Sequence, residues 1–229
     1  MSADLKSPVK HFGVLVFTGF QALDAFGPLD ILNTLAETQG ITLSVIAYTL
    51  DPVTTKPPSS FLKLPAGSNF AESIVPTHTF ANPPKDLDVL IVPGGWGTRE
   101  STPELLSALD FIRSTFTNLG HLFTVCTGSL LAARAGVLDG RNATTNKNAF
   151  ERVKAGHPNV KWVQRARWVR DGNVWTSSGV SAGLDGMFAF VAVHWGEEVA
   201  KGLANSLEYE RHTDPSWDPF AEIFAGLVD

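Results

Sequence analysis

Short apolar runs recur along this chain, each cut off by glycine, proline or a polar turn, and helix-patterned stretches fill the spaces between them. The runs are HFGVLVF at residue 11, ITLSVIAYTL at residue 41, DVLIV at residue 88 and HLFTV at residue 121. Runs apolar on both faces are the pattern of strands buried in a parallel sheet with helices on either side. The spacers carry helix signals. Pro28 opens PLDILNTLAET, apolar at Leu29, Ile31, Leu32 and Leu35, and Gly40 closes it. Thr102-Pro103-Glu104 caps a helix that runs to about Asn118, with Gly120 as its stop. A short helix at SLLAARAG, a brief strand at ATT and a helix at NKNAFERVKAG come next. WVQRARWVRDGNVWTSSG predicts two strands joined at Asp171-Gly172, and SAGLDGMFAFVAVHWGEEVAKGLANSL predicts one long, largely apolar helix. Residues 51–84, rich in proline, serine and threonine, read as hairpins and loops. Together these elements predict an α/β fold, a mostly parallel sheet sandwiched by helices. With no repeat and no separating linker, the 229 residues read as one domain, 1–229.

Composition narrows the function. The net charge of −5 argues against a nucleic-acid partner, which calls for a basic face. No segment approaches the run of about 20 apolar residues that a membrane helix needs. The polar start MSADLKSPVK has no apolar signal core, and the end FAGLVD is not a peroxisomal address, so a cytoplasmic location is expected. One cysteine allows no internal disulfide. The six histidines are scattered without ligand spacing, so no metal site is expected.

That one cysteine, Cys126, falls where chemistry is easily presented. The segment Val125-Cys126-Thr127-Gly128-Ser129 joins an apolar strand to a helix. A sharp turn of this kind pushes its central side chain out at the carboxyl edge of the sheet, as the serine of G-x-S-x-G hydrolases is presented. Gly128 leaves room for the tight backbone, and the helix start favours thiolate over thiol. The plain alternative is a small buried hydrophobe. Pro93-Gly94-Gly95 ends a strand expected beside the cysteine strand, and the N–H groups of Gly94 and Gly95 could hold a developing oxyanion or bind substrate; the alternative is a glycine turn. Asp24 lies in the loop after the first strand, at the same edge, where a carboxyl could bond the sulfur or move a proton. A loop aspartate is more often a solvated turn residue.

Four segments then carry a resemblance: FGVLVFTGFQALDAFGPLDIL, DVLIVPGGWGT, TVCTGSLLAARAGVLDGRNATTN and VWTSSGVSAGLDGMFAFV. In that order they resemble the ThiJ/PfpI superfamily, relatives of class I glutamine amidotransferase domains with a flavodoxin-like sheet and a cysteine elbow. Within it the chain is most similar to the isonitrile (isocyanide) hydratase branch. Many members have a glutamate after the first strand and a histidine directly after the cysteine; here Asp24 and Thr127 match the hydratase pattern, as does the late segment LEYERHTDPSWDPFAEIFAG. The resemblance implies that the Cys126 thiolate attacks the terminal isonitrile carbon and that Asp24 manages protons. Thr127 would bond the carboxylate or the intermediate, and the Gly95 N–H would help hold charge. A thioimidate is then hydrolysed to an N-substituted formamide, with a small-molecule substrate and no cofactor. The family's A-T-T is often followed by histidine; here Asn146 stands there.

The resemblance also implies a homodimer, with WDPFAEIFAGLV helping to cover an interface. Competing readings are a glyoxalase or deglycase acting on small carbonyls and a redox-sensing stress protein that uses Cys126. The sensing half of a transcription regulator and an intracellular protease are weaker, since no helix-turn-helix stretch and no Cys-His pair is visible.

Overall fold

A computed structural model describes residues 9–58 and 62–225. The elements, in chain order, are β1 (His11–Leu15), α1 (Ala22–Ala36), β2 (Thr42–Ala47), β3 (Val53–Thr54), β4 (Ser73–Ile74), β5 (His78–Thr79), β6 (Val89–Val92), α2 (Pro103–Phe116), β7 (His121–Thr124), α3 (Gly128–Arg134), β8 (Asn142–Ala143), α4 (Phe150–Gly156), β9 (Lys161–Trp162), β10 (Trp168–Asp171), β11 (Val174–Ser177), α5 (Ala182–Trp195), α6 (Glu197–Ser206) and α7 (Phe220–Ile223). Seven strands form the main sheet in the order β10-β11-β7-β6-β1-β2-β5. Every neighbouring pair is parallel except β10 with β11.

Every residue of β6 and of β7 is buried, as strands covered on both faces must be. Phe190 of α5 packs on the sheet against the rings of Phe12, Phe123 and Trp175, with centroids 6.2, 6.2 and 5.4 Å away. Burial of one such ring contributes roughly 1.5–3 kcal/mol. The chain leaves β1 for β2 on one side and returns to β6 on the other, so the strand order reverses beside β1. In open α/β sheets ligands bind at the carboxyl edge next to such a reversal. The loops after β1, β6, β7 and β11 all end there.

Several expectations need correcting. The first helix begins at Ala22, not at Pro28, which lies inside it. Asp24 is therefore in the first helical turn rather than in a loop. Proline is tolerated at that depth although it offers no N–H to the carbonyl of Asp24, four residues back. The long helix expected over 181–207 is two helices, broken at Gly196, where φ is 100°. A positive-φ glycine closes α5, and Glu197 and Glu198 complement the start of α6. Residues 51–84 do supply the antiparallel pair β3-β4, but β5 also joins the edge of the main sheet. The strands flanking Asp171-Gly172 pair as expected, although Trp162 belongs to β9, in a separate pair with β8. Of the stretch expected to cover an interface, residues 226–228 lie outside the described residues.

Candidate active site

β7 delivers Cys126 to the carboxyl edge, and the backbone turns there with φ of 56°. A non-glycine residue in the left-handed region stores strain and persists only where its surroundings hold it. Those surroundings are specific. The Cys126 N–H donates to the carbonyl of Ser178 at 2.9 Å. Its own carbonyl accepts from the hydroxyls of Ser129 at 3.0 Å and Thr145 at 3.1 Å. The elbow is thus stitched to the A-T-T and S-S-G segments. A Cβ on Gly128 would collide with the carbonyl of Val92, so the turn can approach β6 this closely only with glycine there.

Around the sulfur stand the backbone N–H groups of Thr127 and Val180 and the side chain of Asn146, each favouring its anionic form. Val180, a β-branched residue, holds φ at 23°, a second strained position beside the same atom. These donors are nevertheless outweighed. Burial, and then the charge of Asp24, push the Cys126 thiol up to about 12. The expectation that the turn and helix start favour thiolate holds for the Thr127 N–H, but burial and Asp24 more than offset it and favour the thiol.

Asp24 is fully buried. Its Oδ2 accepts the Gly94 N–H at 2.9 Å. Its Oδ1 is buried and makes no hydrogen bond of ordinary geometry, although the thiol is near enough to hold the carboxyl pKa down somewhat. Burial dominates and raises that pKa to about 7. The two groups form a like-charge pair in which the carboxyl ionises first, near pH 7, and its charge then opposes ionisation of the thiol. A carboxylate poised near neutrality beside a protonated thiol can take that proton when the sulfur forms a bond.

The glycine turn works differently from the expectation. The Gly94 N–H is engaged by Asp24, and the Gly95 N–H donates to Thr127 Oγ1 at 3.0 Å. Both amides are engaged in these bonds, and the donors that face the sulfur are those of Thr127, Val180 and Asn146. The Thr127 hydroxyl also accepts from Thr98 Oγ1 at 3.2 Å, so it braces the glycine turn against the elbow rather than bonding the carboxylate. A cavity of about 150 Å³ opens beside Cys126, lined among others by Gln21, Trp96, Arg99, Asn146, Asn148 and Val180. A larger groove of about 540 Å³ runs along α1, α5 and α6, past Leu23, Phe26, Phe188 and Tyr209, and shares no lining residue with it.

Sequence reasoning brought Asp24, Cys126, Thr127, Gly94, Gly95 and Gly128 to one place, and the structure does assemble them. It missed Val180, whose only trace was the glycine-rich S-S-G-V-S-A-G segment. Asn146 was marked as a departure, and its contact with sulfur was not foreseen. Among the described residues no three His, Cys, Asp or Glu side chains group as a metal site, and no helix is long and apolar enough to cross a membrane.

Comparison with known proteins agrees with this geometry. The DJ-1/PfpI family pattern matches residues 10–193. An isonitrile hydratase of Pseudomonas putida is 35% identical over 200 residues, which are 87% of this chain and 78% of that protein. A transcriptional regulator of Pseudomonas aeruginosa, GbdR, is 30% identical over 125 residues, 55% of this chain and 33% of its own length. Among solved structures, a ThiJ/PfpI family protein from Pseudomonas syringae superposes with a TM-score of 0.71 at 26% identity, covering 99% of this chain and 98% of that one. On the match over residues 10–193, the chain belongs to the DJ-1/PfpI family.

Proposed function

We propose that this protein is a hydratase that converts small isonitriles to N-substituted formamides through Cys126. The observation that carries the reading is the buried pair itself. A protonated thiol stands beside a carboxyl with a pKa of about 7, and threonine, not histidine, follows the cysteine. Similarity to an isonitrile hydratase over most of the chain supports the same substrate class.

The reaction balances with water alone. As sulfur bonds to the terminal carbon, Asp24 takes the thiol proton and passes it to that carbon, giving a thioimidate, R–N=CH–S–Cys126. The donors at Thr127, Val180 and Asn146 steady the sulfur while it lacks its proton. Water then adds to the same carbon, Asp24 relaying its proton to nitrogen. The C–S bond breaks, the proton returns to sulfur, and R–NH–CHO leaves. A serine at 126 would be nearly inactive, because an alcohol is far harder to deprotonate than a thiol.

The test is turnover of methyl, tert-butyl, cyclohexyl and benzyl isonitrile, with formamide measured by mass spectrometry for wild type and Cys126→Ala. Wild type forms formamide and Cys126→Ala forms none. If wild type leaves every isonitrile untouched but clears methylglyoxal in a Cys126-dependent way, the hydratase reading is wrong and the glyoxalase reading replaces it.

A further inference from the structure

A second cavity, of about 220 Å³, opens behind the donors that surround the sulfur. It shares Asn146, Asn148 and Val180 with the cavity at Cys126, so those residues form the partition between the two. Its outer wall is aromatic: Phe220 of α7, and Phe224 just beyond that helix. Phe220 is 45% exposed.

This wall is fixed in place. Asp218 Oδ1 accepts the Phe220 N–H at 3.0 Å, and Asp218 Oδ2 faces Lys147 Nζ at 3.1 Å, with both side chains all but fully buried. Lys147 Nζ also donates to Thr144 Oγ1, the Thr145 carbonyl and the Ala166 carbonyl, at 2.8, 3.1 and 3.0 Å. Lys147 follows Asn146 directly. One ion pair therefore sets the position of a sulfur donor on one side and of the aromatic wall on the other. Upstream, the Arg167 N–H donates to the Pro215 carbonyl and the His212 N–H to Asp185, which in turn pairs with Arg167, so the same segment is anchored before it reaches Phe220.

We infer that Phe220 and Phe224 form a specificity subsite for an aromatic or cycloaliphatic substituent on the isonitrile nitrogen. The inference rests on the hydratase reading for the chemistry at sulfur. An isonitrile is linear through its carbon, nitrogen and first substituent atom, so when its terminal carbon meets Sγ the substituent lies away from the sulfur, at an angle to the C–S bond being formed. Asn146, Asn148 and Val180 line both cavities, so a substituent that passes over them enters the second. At about 30 Å³ per water-sized group, the space holds roughly seven heavy atoms, the size of a benzyl or cyclohexylmethyl group. Methyl isonitrile would leave the subsite empty.

The experiment compares kcat/KM for benzyl and methyl isonitrile in wild type, Phe220→Ala, Phe224→Ala and Ile223→Ala. Ile223 is 62% exposed on the same helix and does not line the cavity. The benzyl-to-methyl ratio falls about tenfold in each phenylalanine variant, mainly through KM, and stays at the wild-type value in Ile223→Ala. Phe224→Leu serves if an alanine variant melts early. A second readout needs no turnover: the rate at which N-benzyl iodoacetamide alkylates Cys126, relative to iodoacetamide, followed by intact mass. If wild type turns over no isonitrile while this alkylation ratio still drops in the phenylalanine variants, the hydratase reading fails and the subsite stands. Unchanged ratios in both assays for folded Phe220→Ala and Phe224→Ala overturn the subsite.

Discussion

Lys147 and Asp24 are both ionisable and both buried, yet their surroundings treat them in opposite ways. Lys147 has three oxygen acceptors and a carboxylate counter-ion, Asp218. Asp24 has one N–H on one oxygen, none on the other, and as its neighbour a thiol whose ionisation it opposes. A buried polar group is normally satisfied, and the exceptions cluster where reactivity is needed. Burial lowers the Lys147 pKa, but Asp218 works against that shift, and the pair serves to pin the C-terminal segment. At Asp24 burial goes largely uncompensated, and the carboxyl is left near neutrality as a proton acceptor.

The largest effect that would break this contrast comes from Asp24→Asn. The amide keeps the shape and can still accept from Gly94, but cannot take the thiol proton. Formamide production falls by about 10²–10⁴-fold. Stability moves the other way. The carboxyl pKa is raised from 3.8 in the unfolded chain to about 7 in the fold, so the fold binds the extra proton between those values. Wild-type stability therefore declines as pH rises through that window, and the full penalty is present above 7. Asp24→Asn removes it and gains up to about 4 kcal/mol at pH 8, the gain vanishing as pH falls to about 4. Urea titrations of both proteins across that range measure it; equal stability at pH 8 would mean that Asp24 is not held at a cost. In wild type, kcat/KM rises with pH through about 7 as the carboxylate forms.

Next in size is Lys147→Met. A buried pair broken on one side leaves an uncompensated charge and costs about 3–5 kcal/mol. Lys147→Met combined with Asp218→Leu regains most of that loss, because no lone charge remains. Urea unfolding of the three variants decides it: a double variant as weak as the single would show that the bonds to Thr144 and Ala166, not the ion pair, carry the stability.

How much of this the sequence disclosed follows from what each feature depends on. The strands were legible because β6 is apolar throughout and β1 and β7 are apolar on both faces apart from His11, His121 and Thr124 at their ends. The elbow was legible because Cys126 sits between an apolar run and a helix with Gly128 behind it. Helix limits were less so. Pro28 reads as a start signal, yet α1 begins at Ala22, a turn and a half earlier, where Ala25 is fully buried. Gly196 was lost within an apolar stretch whose hydrophobicity hid the break. The proton's place was not legible at all: thiolate or thiol is decided by the burial of Cys126 and by Asp24, 102 positions away, and a turn motif contains neither. The burial of Lys147 was not legible either, since only the fold brings Asp218 to it.

A smaller effect is expected at the partition. Asn146→Leu removes one donor from the sulfur while leaving both N–H groups in place, and kcat falls by roughly 10- to 100-fold. The Cys126 pKa, already raised, moves higher, since the lost contact favoured the anion. Alkylation of Cys126 as a function of pH reads that shift directly. An unchanged profile would remove Asn146 from the reaction and leave it only as a wall of the cavity.

Thr127→Val should have the smallest effect, and it separates two roles for the residue after the cysteine. In the structure its hydroxyl accepts from Gly95 and Thr98 and makes no hydrogen bond with the Asp24 carboxylate. Valine has nearly the same shape but orphans the Gly95 N–H in a tight turn, which costs roughly 1–3 kcal/mol of stability. The backbone N–H of residue 127, which faces the sulfur, is retained. Activity on methyl isonitrile then falls only a few-fold, through looser placement of the glycine turn, and the pH profile keeps its midpoint because neither Asp24 nor Cys126 loses a partner. Urea unfolding and the kcat/KM pH profile are read together. A midpoint displaced by a full pH unit would mean that the hydroxyl acts on the Asp24–Cys126 pair after all, and the brace would then be the lesser of its two jobs.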